Sequence, residues 1–136
     1  MTVVWANGRL VAPDEPAISA LDHGVTVGDG VFETLKVVGG RPFAMTRHLD
    51  RLERSAAGLG LPAPDRDGVR DACATVVTQL PDEAVYRLRI PFTAGEGPLG
   101  SDRAGGASTL LVAASPAPAW GGGTTLAVAP WPRNEH

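Results

Sequence analysis

This sequence predicts an α+β fold. A small N-terminal domain with an antiparallel sheet and two helices is followed by the first strand of a second domain whose remainder is missing. Three observations point there. Residues 84–93 alternate with period two. Residues 46–59 and 65–80 repeat apolar positions at spacings of three and four. Glycine-containing pairs separate short apolar runs early in the chain. The composition is that of a globular protein, 43 % hydrophobic and 20 % charged with a mean hydropathy of +0.01. Its 17 glycines and 12 prolines in 136 residues imply short elements and many turns.

The elements follow in order. Val3-Val4-Trp5 and Arg9-Leu10-Val11 flank Asn7-Gly8, the strongest short hairpin signal, because both turn positions need positive φ. Residues 13–20 are polar and proline-bearing, a surface loop. Val31 to Val38 reads as a strand that turns at Gly39-Gly40 and returns through Arg41-Pro42-Phe43. A first helix takes Thr46 as N-cap and repeats Leu49, Leu52, Ala56 and Leu59. Gly58, Gly60, Pro62 and Pro64 end it. A second helix spans about Asp65 to Leu80 with the stripe Val69, Ala72, Cys73, Val76 and Leu80, and Pro81 stops it.

In the period-two strand, Ala84, Tyr86, Leu88, Ile90 and Phe92 form the core face. Gly95 to Gly100 is an irregular loop, and residues 108–114 form another buried strand. Residues 1–116 are thus the N-terminal domain, 117–123 a linker, and 124–136 the start of a C-terminal domain, with a strand at Thr124–Ala129. The alternative is a single domain whose edge strand is 124–129.

Several function classes fall away. No apolar run approaches the roughly 20 residues of a membrane span. Met1 to Arg9 lacks the basic-then-apolar pattern of a secretory leader. The lone Cys73 cannot form an internal disulfide and suggests a reducing, cytoplasmic compartment. A net charge of −3 without single-sign blocks argues against nucleic acid. His23, His48 and His136 show no metal-ligand spacing.

Three segments carry chemistry. Asp22 to Thr34 holds glycines at 24, 28 and 30 that permit close backbone approach. The strand after it puts Phe32, Thr34 and Lys36 on one face and Glu33, Leu35 and Val37 on the other. The first set could line a small-molecule pocket, or the segment is a turn feeding a half-buried hairpin with a solvated Lys36. In His48-Leu49-Asp50-Arg51-Leu52, His48 and Arg51 share a helix face. Arg51 beside the apolar stripe suits bidentate binding of a phosphate or carboxylate, or a surface salt bridge with Asp50, Glu53 or another carboxylate. Arg87 and Arg89 point the same way, opposite the core face, either as an anion site or as a solvated face. Cys73 reads as core. Lys36 is the only lysine beside eleven arginines, so any lysine chemistry has one candidate.

Together and in this order, the segments resemble the N-terminal half of the fold-type IV (class IV) pyridoxal-phosphate aminotransferases. That family includes branched-chain and D-amino-acid aminotransferases and 4-amino-4-deoxychorismate lyase. Gly28-Asp29-Gly30-Val31-Phe32-Glu33-Thr34 is similar to the D-amino-acid and lyase branches, where the branched-chain type has Phe-Glu-Gly, and His48-Leu49-Asp50-Arg51-Leu52 fits the family's His-x-x-Arg-Leu.

The resemblance implies a pyridoxal 5'-phosphate cofactor whose phosphate is bound by Arg51. It places Phe32 and Lys36 on the substrate side, with Arg89 and Arg87 on a strand that supplies substrate-carboxylate contacts in some members. Residues 95–100 match a loop that closes over the substrate, and Trp120 to Gly123 match the interdomain connection. It also implies a cytoplasmic homodimer acting on an amino acid or aminodeoxychorismate through a substrate–cofactor aldimine. Phe32 in place of a tyrosine, and Glu96 to Gly100 in place of Arg/His loop contacts, argue against D-amino-acid specificity and favour the lyase or a generalist aminotransferase. The family's Schiff-base lysine lies beyond the position of His136, so none of these residues supplies it. The chain is then inactive without a C-terminal segment, which a companion fragment could provide. The rival reading is a non-catalytic module that binds small anions or dimerises.

Overall fold

In the computed structural model, which describes residues 1–82, 84–103, 105–119 and 121–131, six strands form one antiparallel sheet with two helices packed on one face. The strands are β1 (Val3–Ala6), β2 (Arg9–Val11), β3 (Gly30–Val38), β4 (Arg41–Pro42), β5 (Val85–Thr93) and β6 (Thr109–Pro116). Their spatial order is β2-β1-β6-β5-β3-β4. The helices are the single turn α1 (His23–Thr26), then α2 (Met45–Gly58) and α3 (Arg66–Val77). No helix of the described residues is long and apolar enough to cross a membrane.

Local chemistry accounts for the ends of these elements. Asn7 and Gly8 take φ of 42° and 107°, as a two-residue hairpin turn between right-twisted strands demands. Asp65 caps α3, its side chain accepting from the Asp67 N–H. The β3–β5 ladder is the spine, running in register from Gly30↔Thr93 to Val38↔Val85. Alternation along that ladder decides what lies on each face. Leu35, Val37, Leu88 and Ile90 turn to the helices and meet Leu49, Leu52 and Ala56 of α2 and Val69, Ala72, Cys73 and Val76 of α3. Burial pushes the Cys73 thiol up to about 12, so it is an inert core residue as its place in the stripe suggests. Arg66 ties the two helices together, donating to Asp50 and, at 2.8 Å, to Glu53.

Four local expectations are corrected. Helix α2 starts at Met45 behind Ala44, which sits in the left-handed region at φ 52°, so Thr46 lies inside the first turn and caps nothing. Leu59 is exposed, because it follows the last helical residue and leaves the apolar stripe. Helix α3 ends at Val77 rather than near Leu80, and β5 begins at Val85, leaving Ala84 exposed and outside the core face. Leu80 is nonetheless buried, carried into the core by the turn after the helix.

The α+β fold class stands as read, and a fifth correction concerns only the strand expected at 124–129. Residues 124–129 form no strand: residues 121–131 are exposed throughout, with Leu126 86 % and Val128 96 % accessible. A strand needs a neighbour for its N–H and C=O groups. Strand β6 already has β1 and β5 on its two sides. Trp120 of the expected interdomain connection and His136 lie outside the described residues.

The sheet's other face is covered at one end by the segment around α1. Asp22 is the α1 N-cap; its Oδ1 accepts from the Gly24 N–H and the Thr93 hydroxyl, both at 2.8 Å. His23 is buried and its Nε2–H donates to the Pro98 carbonyl at 2.8 Å, while its own N–H donates to Gly95. Gly97 packs so closely on this imidazole that an added Cβ would lie 2.2 Å from Nε2. The 95–100 loop is therefore held by a ring seated against a glycine. Gly97→Ala should displace the loop and destabilise the protein by about 1–3 kcal/mol, the usual cost of overpacking. Urea unfolding and faster amide exchange at residues 95–97 would register the change; unaltered exchange there would contradict it.

Candidate functional site

Strand β3 runs between two clusters of ionisable side chains, one on each of its faces. The first lies on the helix side. Glu33 occupies a position in line with Leu35 and Val37, where an apolar residue would be expected, and it is 3 % exposed. An ionised carboxylate there needs donors, and α2 provides them one turn apart. Arg51 Nε donates to Oε1 at 2.6 Å, Arg51 Nη2 donates to Oε2, and His48 Nδ1 lies 2.7 Å from Oε2. A carboxylate can only accept, so Nδ1 carries the proton and the 3.1 Å approach of Arg51 Nη2 to His48 Nδ1 brings two donors to one oxygen.

Burial pushes the Glu33 carboxyl up, but its hydrogen bonds to Arg51 and then His48, with their charges, outweigh that and hold it below the usual carboxylate range. The same hydrogen bond raises Arg51, which stays cationic. Among the described residues Arg51 Nη1 has no partner, and the side chain is 56 % exposed. One edge of the guanidinium is engaged inward and the other faces solvent.

The second cluster lies on the opposite, open face. Phe32, Thr34 and Lys36 of β3 stand beside Arg89 and Arg87 of β5, with Thr34 paired to Arg89 and Lys36 to Arg87. The Arg89 guanidinium carbon lies 3.9 Å from the centroid of the Phe32 ring, a cation–π contact. Lys36 and Arg87 line a cavity of about 600 Å³ together with Thr34, Val85, Ala117 and Pro118. Like charges directly opposed across a ladder repel, and among the described residues no acidic side chain bridges these three cations. The face is electrostatically open to an anion.

The structure thus brings together Phe32, Lys36, Arg87 and Arg89, and it separates them from Arg51 by the thickness of β3. Alternation is the reason: residues 32, 34 and 36 point one way and residue 33 the other. Of the partners considered for Arg51, Asp50 and Glu53 are engaged by Arg66 instead, and the carboxylate it finds is eighteen residues away in sequence. Sequence reasoning noted Glu33 only as a member of the inner face. Its signal was a charged residue at an apolar position of an alternating strand. The segment read as a turn at 22–29 instead contains the turn of helix α1, signalled by Asp22 as a potential N-cap. Asp29 there is clamped by Arg103, whose hydrogen bonds hold its carboxyl below the ordinary range, and Arg103 also reaches the Gly60 and Leu59 carbonyls at 2.6 and 2.8 Å.

Comparison with known proteins agrees with this architecture. A model of the amino-transferase class IV family matches residues 30–135. A Mycobacterium tuberculosis protein described as a bifunctional aminodeoxychorismate lyase / D-amino acid transaminase is 39 % identical over 121 residues, covering 86 % of this chain and 39 % of that protein. A putative branched-chain-amino-acid aminotransferase of Methanocaldococcus jannaschii is 34 % identical over 117 residues, covering 85 % of this chain and 40 % of that one. Among solved structures, 4-amino-4-deoxychorismate lyase from Pseudomonas aeruginosa superposes with a TM-score of 0.73 at 33 % identity, over 87 % of this chain and 41 % of that one. A PLP-bound hypothetical aminotransferase from Mycobacterium tuberculosis gives 0.75 at 32 % identity, over 88 % and 41 %. The chain spans about two fifths of the length of these relatives.

The Glu33 geometry predicts a pH dependence. Its folded-state pKa is depressed, so its contribution to stability is present above the unfolded value near about 4.3 and is lost as pH falls through the lower folded value. The stability gap between the native protein and Glu33→Gln should be widest near neutrality and close as pH drops below about 4. Denaturant titrations across that range would show it, and a gap independent of pH would refute it.

Proposed function

Because the chain belongs to the amino-transferase class IV family, we infer that it is the N-terminal portion of a pyridoxal-phosphate enzyme. The complete enzyme either transfers an amino group between an amino acid and a 2-oxo acid or converts 4-amino-4-deoxychorismate. The observation that supports this best is the Arg51 guanidinium, fixed along one edge by buried Glu33 and open along the other.

That donor set fits a cofactor phosphate, since an always-charged planar fork matches phosphate oxygens and Arg51 has donors to spare. When bound, the cofactor supplies an electron sink for bonds at the substrate's α-carbon. This chain's residues supply binding and orientation. Arg51 would hold the phosphate. Lys36, Arg87 and Arg89 would draw a substrate carboxylate to the open face, and Phe32 would wall it with an apolar ring that also restrains Arg89. The 95–100 loop, held by His23, would limit the entry of water.

Lys36, the only lysine in the chain, stands among these substrate-side cations, so the covalent tether of the cofactor must come from polypeptide outside these 136 residues. The chain alone would then be inactive. In this reading 1–116 is the N-terminal domain, 117–123 a linker and 124–136 the start of a C-terminal domain. The working form would be a cytoplasmic homodimer or a complex with a companion C-terminal fragment. Phe32 and the Glu96-to-Gly100 loop favour the lyase or a generalist aminotransferase over a D-amino-acid enzyme, and the relative from Mycobacterium tuberculosis carries both activities in its name.

Two substitutions separate the roles, tested in the full product of the reading frame that carries these residues. Arg51→Ala should weaken pyridoxal-phosphate retention by about tenfold or more, the scale of a lost charge-assisted hydrogen bond, measured by absorbance after dialysis. Arg89→Ala should raise the substrate KM several-fold while cofactor loading stays intact; loss of cofactor in that variant would show that Arg89 is assigned to the wrong ligand.

A further inference from the structure

Among the described residues four arginines pair with carboxylates: Arg9 joins the nearby, exposed Glu15, while Arg51, Arg66 and Arg103 join carboxylates 13 or more positions away, and these three differ in what is left over. Arg66 spends Nη1 on Glu53 and Nη2 on Asp50. Arg103 commits Nε and Nη2 to Asp29, and Nη1 and Nη2 to two carbonyls. Arg103 is engaged through all three of its nitrogens, and Arg66 has both of its terminal Nη groups committed. Arg51 alone of the three is held through Nε and Nη2 only, with Nη1 unpaired among the described residues. Its carboxylate is also the most deeply buried: Glu33 has a 3 % exposed side chain, against 13 % for Asp29, 44 % for Asp50 and 38 % for Glu53. Glu33 is fixed a second time by His48, on the same helix face as Arg51.

We propose that Glu33, steadied by His48, is a positioning residue that aims the outward edge of Arg51 at the cofactor phosphate. The inference rests on Arg51 being the phosphate ligand. The physical case is one of preorganisation. An exposed arginine samples many rotamers, and binding an anion must freeze them. Bidentate pairing to a carboxylate buried in the sheet freezes the chain and the plane of the guanidinium beforehand. A carboxylate near the site also offsets part of the positive charge, which opposes anion binding. The geometry favours positioning, because Glu33 lies behind the inner edge and leaves Nη1 for the ligand. His48 has to donate through Nδ1 for the arrangement to hold, so its tautomer belongs to the same device.

The test uses the full product of the reading frame loaded with pyridoxal phosphate. Glu33→Gln keeps the shape but places an amide NH₂ or a neutral oxygen against Arg51. It should raise the dissociation constant for the cofactor about tenfold. It should also shift the ³¹P resonance of the bound phosphate and change its pH titration, which a merely structural loss elsewhere would not do. In an Arg51→Ala background the same change should cost nothing further. Unchanged or tighter binding in Glu33→Gln, with Arg51→Ala defective, overturns the positioning role and leaves the phosphate assignment standing. Full retention in Arg51→Ala overturns both. If Glu33→Gln does not fold, His48→Leu against His48→Asn carries the test. Only Asn can donate to Glu33 as Nδ1 does, so Leu should weaken retention several-fold and Asn should restore it; equal retention in both would refute the inference.

Discussion

A single carboxylate on the wrong face of a strand organises much of this molecule. Position 33 faces the helix layer, where the neighbouring inward positions of β3 hold Leu35 and Val37. A charge there is tolerated only because α2 brings a guanidinium and an imidazole to it, and the three groups satisfy one another. Breaking any one leaves another polar group poorly served in a region of low dielectric. The interaction fixes the rotation of α2 about its axis, since His48 and Arg51 must both face β3 while Leu49 and Leu52 remain in the core. Docking of the helix and presentation of a cationic edge to solvent are therefore the same structural event.

The opposite face follows a different rule. There, the β3–β5 register places Lys36 against Arg87 and Thr34 against Arg89, gathering positive charge over a cavity of about 600 Å³ instead of dispersing it. Such a face is unfavourable by itself and becomes favourable with an anion on it. The stacking of Arg89 on Phe32 fixes one of the cations in place. Under the proposed function the two clusters would share a task, because a cofactor phosphate and a substrate carboxylate are both anions.

Much of this was legible in the residues. Asn7-Gly8 demanded a hairpin, the three-and-four spacing demanded two helices, and strict alternation in 84–93 put Arg87 and Arg89 together, opposite the core. Each of these depends on backbone geometry over a few neighbouring residues. Boundaries were less legible. Thr46 looked like a cap, yet Ala44 takes that place in the left-handed region after β4. Residues 124–129 had a strand's composition, but a strand is completed by its neighbour, and the sheet has no vacant edge for it beside β6.

The sequence by itself determined the inventory: an α+β pattern of short strands around two long helices, one lysine, a helical His-x-x-Arg, and the face on which the residues of the long strands lie. Short-range sterics and periodicity are enough for that. Only the tertiary structure decided that Arg51 answers Glu33 rather than Asp50 or Glu53, that Asp50 and Glu53 belong to Arg66, and that His23 anchors the loop at Pro98. Those pairings join residues 13 to 75 positions apart. Their partners are chosen by which burials the packed sheet and helices leave unsatisfied, and no local rule contains that information.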